Sequence, residues 1–119
     1  MALPVPLEQE ILRQCLVYLS LQPDFVCWRN NTGAFGGVSA KGKKWFVRAG
    51  VRGASDIIGF TARGAHFVAI EVKRPGGTFR PGQQEFLAQV SEAGGFACVV
   101  RSIDDLISQV FRWRQSRAK

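Results

Sequence analysis

The chain has one histidine, so catalytic schemes built on a histidine pair, or on a histidine matched to a nucleophile, have almost nothing to draw on. Its three cysteines, Cys15, Cys27 and Cys98, lie in separate apolar runs with no Cys-x-x-Cys spacing. That odd, scattered set argues against a disulfide framework and against a zinc site; it reads as small hydrophobic residues of a core. No apolar run is long enough to span a bilayer and no segment reads as a signal peptide, so the expectation is a soluble, cytoplasmic protein without a membrane partner. No repeat or low-complexity tract interrupts the 119 residues, and one domain over 1–119 is expected. Acids are scarce too, with 9 against 16 lysines and arginines, a net charge of +7. Such an excess favours a polyanionic partner through counterion release and electrostatic steering.

What the chain does have is a local cluster of charge in apolar surroundings. Two β-rich runs, 56–61 and 66–73, flank Ala62-Arg63-Gly64-Ala65, and a short glycine-containing link of this kind predicts an antiparallel hairpin. A turn centred between Arg63 and Gly64 sets Asp56 opposite Glu71, with Cβ atoms about 4.5–5.5 Å apart. Alternation along the strand adds Lys73 to the face of Glu71 and turns the Val72 side chain away. Ile58, Phe60, Phe67 and Ala69 fall beside the charged trio, with Ile57, Val68, Ile70 and Val72 behind it. Strands apolar on both faces belong in a sheet covered on both sides.

Two carboxylates that close repel unless positive charge sits between them. Hard divalent ions such as Mg²⁺ take one or two carboxylates together with waters and substrate phosphates. A lysine beside them supplies positive charge where negative charge grows in a phosphoryl transition state. A surface hairpin with a Glu–Lys patch is the plainer reading of an isolated Asp…Glu-x-Lys, and context decides between the two.

Along the chain, apolar spacing predicts a helix over 7–21, with Ile11, Leu12, Cys15, Leu16 and Leu19 on its inner stripe. Glu8 falls on that stripe and is expected to point inward, whereas Glu10 is rotated to the far side. A short strand at 25–29 leads to Asn30-Asn31-Thr32-Gly33, a turn by composition. From Gly33 to Gly53 the chain is glycine-rich, with a strand expected at 45–48, and carries Lys41, Lys43, Lys44, Arg48 and Arg52 without one acid. With Phe35, Trp45 and Phe46 interleaved, this segment suits a surface that tracks a nucleic-acid backbone. Gly37-Val38-Ser39-Ala40-Lys41-Gly42-Lys43 imitates a P-loop, but Lys44 replaces the hydroxyl residue and strand-like Trp45-Phe46-Val47 follows where a helix is required, so a nucleoside-triphosphate site is rejected.

Beyond the hairpin a helix is expected from near Pro81, with Gln83, Phe86, Leu87 and Val90 inward. Gly94-Gly95 ends it, a buried strand follows at 96–101, and Ser102 to Asp105 resembles a capping box for a last helix with Ile103, Leu106, Ile107, Val110 and Phe111 on its core stripe. Its basic tail, Arg112, Trp113, Arg114, Arg117 and Lys119, is expected to be a solvated, frayed end. The resulting order is helix, strands, helix, strand, helix around a mixed sheet, an α/β fold.

Glu8 with Ile11, then Arg29-Asn30-Asn31, Gly53-Ala54-Ser55-Asp56, Glu71-Val72-Lys73, and Gln83 with Phe86 together resemble the VRR-NUC (virus-type replication-repair nuclease) domains, a branch of the PD-(D/E)XK nucleases. The similarity runs from the first helix to about Leu106. It implies a restriction-endonuclease-like αβββαβ core and a metal-dependent phosphodiesterase acting on DNA. By position, Asp56 and Glu71 would bind Mg²⁺ or Mn²⁺ with the main-chain carbonyl of Val72, and Glu8 would complete the acidic cluster. Lys73 would orient and activate the attacking water, and Gln83 would hold the lysine or the phosphate. Asn30 and Asn31 join Lys41, Lys43, Lys44, Arg48 and Arg52 as expected DNA contacts. Ser55 stands where the family often has proline, and Arg80 and Gly82 replace a more usual polar cap and acid. Stand-alone members resemble Holliday-junction-resolving enzymes and tend to be homodimers, which implies branched DNA in replication, repair or recombination. The rival expectations are a nucleic-acid-binding module that keeps the fold without chemistry, and a basic partner-binding domain.

Overall fold

Six strands divide into two unequal sheets. The computed structural model describes residues 4–31, 33–51 and 53–118, with the side chains at 33–35 and 47–49 outside that description. In chain order the elements are α1 (Glu8–Ser20), β1 (Phe25–Arg29), β2 (Gly33–Val38), β3 (Lys44–Ala49), β4 (Ile57–Thr61), β5 (Phe67–Val72), α2 (Gln83–Glu92), β6 (Phe96–Val100) and α3 (Ile103–Arg117). The larger sheet runs β1-β4-β5-β6, antiparallel through its first two pairings and parallel between β5 and β6. This is a mixed α/β sheet flanked by helices, as expected of a restriction-endonuclease-like core.

Alternation assigns each residue of this sheet to one helical layer. Ile57, Val68, Ile70, Val72, Cys98 and Val100 pack with Ile11, Cys15 and Leu19 of α1 and Leu106 and Val110 of α3. On the other face Ala69, Ala97 and Val99 meet Leu87 and Val90 of α2. Gly59, at the centre of β4, lies so close to the Val26 carbonyl of β1 that a Cβ would overlap it. Burial pushes the Cys15 thiol up to about 11 and Cys98 to about 12, which leaves both inert as nucleophiles and consistent with core packing.

The hairpin has the expected register: Ile57 opposes Ile70 and Phe60 opposes Phe67 across the turn at 62–65. Four expectations need correction. The segment after Asn31 is not a loop with one strand, because β2 and β3 form a separate antiparallel ribbon. Helix α2 begins at Gln83 rather than near Pro81, because Gly82 takes a left-handed conformation (φ 90°) that ends the preceding turn. In α3, Ile107 and Phe111 are exposed, since the helix rests on the sheet along the narrower line of Ile103, Leu106, Val110 and Trp113. The basic tail is not frayed: Trp113 packs edge-on against Phe96 and His66, with ring centroids 5.6 and 5.4 Å apart, and the Arg117 guanidinium lies 4.1 Å from the Trp113 ring. Arg114 hydrogen-bonds Asp24 through two nitrogens, at 2.8 and 2.6 Å, and holds its carboxyl below the usual carboxylate range. Lys119 lies outside the described residues.

Candidate active site

Asp56 sits just ahead of β4, and its Oδ2 accepts a hydrogen bond from the Val72 main-chain N–H at 2.8 Å. That bond ties the start of one hairpin strand to the end of the other. Glu71 is 1% exposed; its Oε1 accepts from Gln83 Nε2 at 3.0 Å and lies 3.7 Å from Lys73 Nζ. Its second oxygen, Oε2, is buried without a hydrogen-bond partner. Lys73 is buried as well, with its ammonium 5.8 Å from the centre of the Phe79 ring. The two acids and the lysine therefore gather on the α2 side of the sheet, beside the start of that helix.

The electrostatics of the site are those of an acid short of positive charge. Burial first, and then the adjoining Asp56 carboxyl, push the Glu71 pKa up to about 8; the charge of Lys73 opposes the shift and that of Glu8 adds to it. A buried carboxylate without full compensation costs several kcal/mol, and here burial and the neighbouring acid favour a proton on Glu71, whose Oε2 has no hydrogen-bond partner. A hard divalent cation would replace that proton and use the oxygen. The Asp56 and Glu71 carboxyl oxygens are hard donors of the kind that could hold Mg²⁺ or Mn²⁺.

Glu8 does not complete a ligating cluster. It is exposed in the first turn of α1, ahead of the buried Ile11, because the helix begins beyond the cover of the core. Among the described residues no group of three histidine, cysteine, aspartate or glutamate side chains is placed to hold a metal. Gln83 is buried on the inner stripe as expected, but its carboxamide serves Glu71 rather than the lysine, and its Oε1 accepts from the Arg80 main-chain N–H at 2.6 Å.

Three positioning features were not legible as such in the sequence. Asn30 donates its main-chain N–H to the Asp56 carbonyl at 2.7 Å and its Nδ2 to the Ser55 carbonyl at 3.1 Å, so it clamps the segment carrying Asp56. Gly53 has φ 78°, and a Cβ there would clash with the Gly82 carbonyl; only glycine allows this loop to press on the start of α2. Ser55 is fully buried with an unpartnered Oγ. Of the expected DNA contacts, Asn31, Lys41, Lys43 and Lys44 are exposed, while Arg52 and the side chain of Arg48 lie outside the described residues.

A family model of the VRR-NUC domain matches residues 39–104, more than half of the chain. The chain belongs to the VRR-NUC family. The match takes in both acids, the lysine, Gln83 and half of the ribbon. VRR-NUC domains are nuclease domains, which assigns this chain a nuclease role and nucleic acid as its partner. No curated protein and no solved structure matches it. Among the described residues no helix is long and apolar enough to cross a membrane.

Proposed function

We propose that this VRR-NUC chain is an Mg²⁺- or Mn²⁺-dependent deoxyribonuclease, an endonuclease that hydrolyses phosphodiester bonds in branched DNA. The observation that carries the reading is Glu71: an almost fully buried acid, facing Asp56 and holding one oxygen without a partner. Nothing in a purely structural hairpin compensates that arrangement.

In this mechanism Asp56, Glu71 and the Val72 carbonyl would hold the cation, which would supply Lewis-acid polarisation of the phosphate and make nearby water more acidic. Gln83 fixes one Glu71 oxygen and leaves the other free. Asp56 is held by the Val72 N–H through Oδ2, so its position is set before substrate arrives. Lys73, 3.7 Å from Glu71, orients the attacking water and faces the charge that grows on the phosphate. Glu8 adds negative potential from outside the ligand set. A homodimer would supply one such centre to each of the two strands cut in a junction.

The test is cleavage against binding. Asp56→Ala and Glu71→Ala are expected to abolish divalent-dependent cutting of duplex, flap and four-way DNA while binding in a mobility-shift assay survives. Variants that cut as well as the parent after repurification refute the site, and a parent that binds all three without cutting any of them is a binding module of this fold.

A further inference from the structure

The β2–β3 ribbon is not used by the chemistry above, although it contains the strongest charge pattern in the chain. Between Asp24 and Asp56 there is no acid, while Arg29, Lys41, Lys43, Lys44, Arg48 and Arg52 fall in that interval. Among the described residues the ribbon pairs with no strand of the larger sheet, and every residue from Val38 to Phe46 is exposed. The radius of gyration, 16.6 Å, exceeds the value of about 13.5 Å expected for a compact domain of this length. Six residues per strand give the projecting arm a reach of about 20 Å.

The arm is an ordered hairpin. Ser39 N–H donates to the Lys43 carbonyl and Gly42 N–H to the Ser39 carbonyl, both at 2.8 Å, with Gly42 left-handed at φ 78°. This three-residue tip sets Lys41 and Lys43 at the end of the arm. The two aromatic rings on β3 are treated differently. Trp45 lies over Gly37, where a Cβ would come 2.7 Å from its ring. Phe46 opposes Gly36, which offers it no side chain, and it is 67% exposed on the same face as Lys44. Both ends of the arm join the body at the acid pair, since Asn30 holds the Asp56 and Ser55 carbonyls.

A flat apolar ring, uncovered and set beside Lys44 on an acid-free arm, matches a nucleobase on its phosphate backbone. It does not match a second copy of a chain that carries +7 itself. We propose that the β2–β3 arm selects DNA with unpaired bases: Phe46 stacks on the base exposed where a flap leaves the duplex, and Lys41, Lys43 and Lys44 take the flanking phosphates. This rests on the nuclease reading and names the feature of the substrate that the arm recognises beside that site.

The experiment measures binding in EDTA, so it requires no cutting. The probes are a flap with 2-aminopurine at its first unpaired position and a continuous duplex of the same length. The parent should prefer the flap and change the 2-aminopurine emission on binding. Phe46→Ala should lose about tenfold of that preference and the emission change. The triple variant Lys41→Ala, Lys43→Ala, Lys44→Ala should weaken binding to both DNAs and reduce the salt slope by about three. A Phe46→Ala variant that keeps both preference and emission change overturns the assignment. So does one that alters only the oligomeric state by light scattering, which makes the arm an interface between copies. If the parent cuts nothing yet Phe46→Ala loses its preference, the nuclease reading falls and the arm assignment stands.

Discussion

The four-stranded sheet and the two-stranded ribbon are built from similar strands and hold themselves together by opposite means. In the sheet, β5 has five consecutive buried residues and helices on both faces, so a charged residue there must find its partners inside the protein. In the ribbon glycine occupies three of the six positions of β2, and every residue from Val38 to Phe46 is exposed. Burial makes the sheet stiff enough to hold Asp56, Glu71 and Lys73 together against their own electrostatics. Its absence leaves Phe46 and the lysines at the tip of the ribbon exposed.

Substitutions sharpen this contrast, beginning with the body. Leu106→Ala removes a fully buried side chain from between α3 and the sheet and should cost about 2–5 kcal/mol in urea unfolding. A cost below about 1 kcal/mol would show that the helical layer is not what holds the sheet.

Glu71→Gln comes next. Its pKa of about 8 lies above the ordinary 4.5, so in the metal-free protein the folded state keeps a proton that the unfolded chain has lost. The resulting stability is full below about pH 4.5 and is lost as pH rises through about 8. The variant should therefore be flat across that window. Unfolded in EDTA at alkaline pH, it should be more stable than the parent by on the order of a few kcal/mol, with the gap closing in acid. A parent whose stability rises between the two pH values would remove the buried acid from the account.

The smallest effect belongs to the arm. Phe46→Ala touches no core residue and should shift stability by less than about 0.5 kcal/mol in the same urea titration. A larger loss would mean that the arm packs on the body in solution and that the contrast is overdrawn.

The same contrast explains what could be read in advance. The hairpin register was legible because turn and strands are adjacent in sequence, so placing the bend at Arg63 and Gly64 fixes the pairings from Phe60 and Phe67 to Ile57 and Ile70. Gln83 was legible as an inward polar residue, but not its partner, because Glu71 reaches it only after α2 folds onto the sheet. The inward direction assigned to Glu8 failed because helical spacing tells which side a residue lies on, not where the core ends. The ribbon was half missed because strands without a buried face leave no alternation to read. The fastening of α3 was invisible because Arg114 and Asp24 stand 90 residues apart.

By itself the sequence determined the three helices, the register of the β4–β5 hairpin and the basic character of the arm, all of which follow from neighbours along the chain. Only the tertiary structure decided that Glu71 is sealed from water, that Gln83 holds one of its oxygens, and that the arm stands apart. Burial and long-range hydrogen bonds depend on which surfaces meet, and a linear pattern does not contain that information.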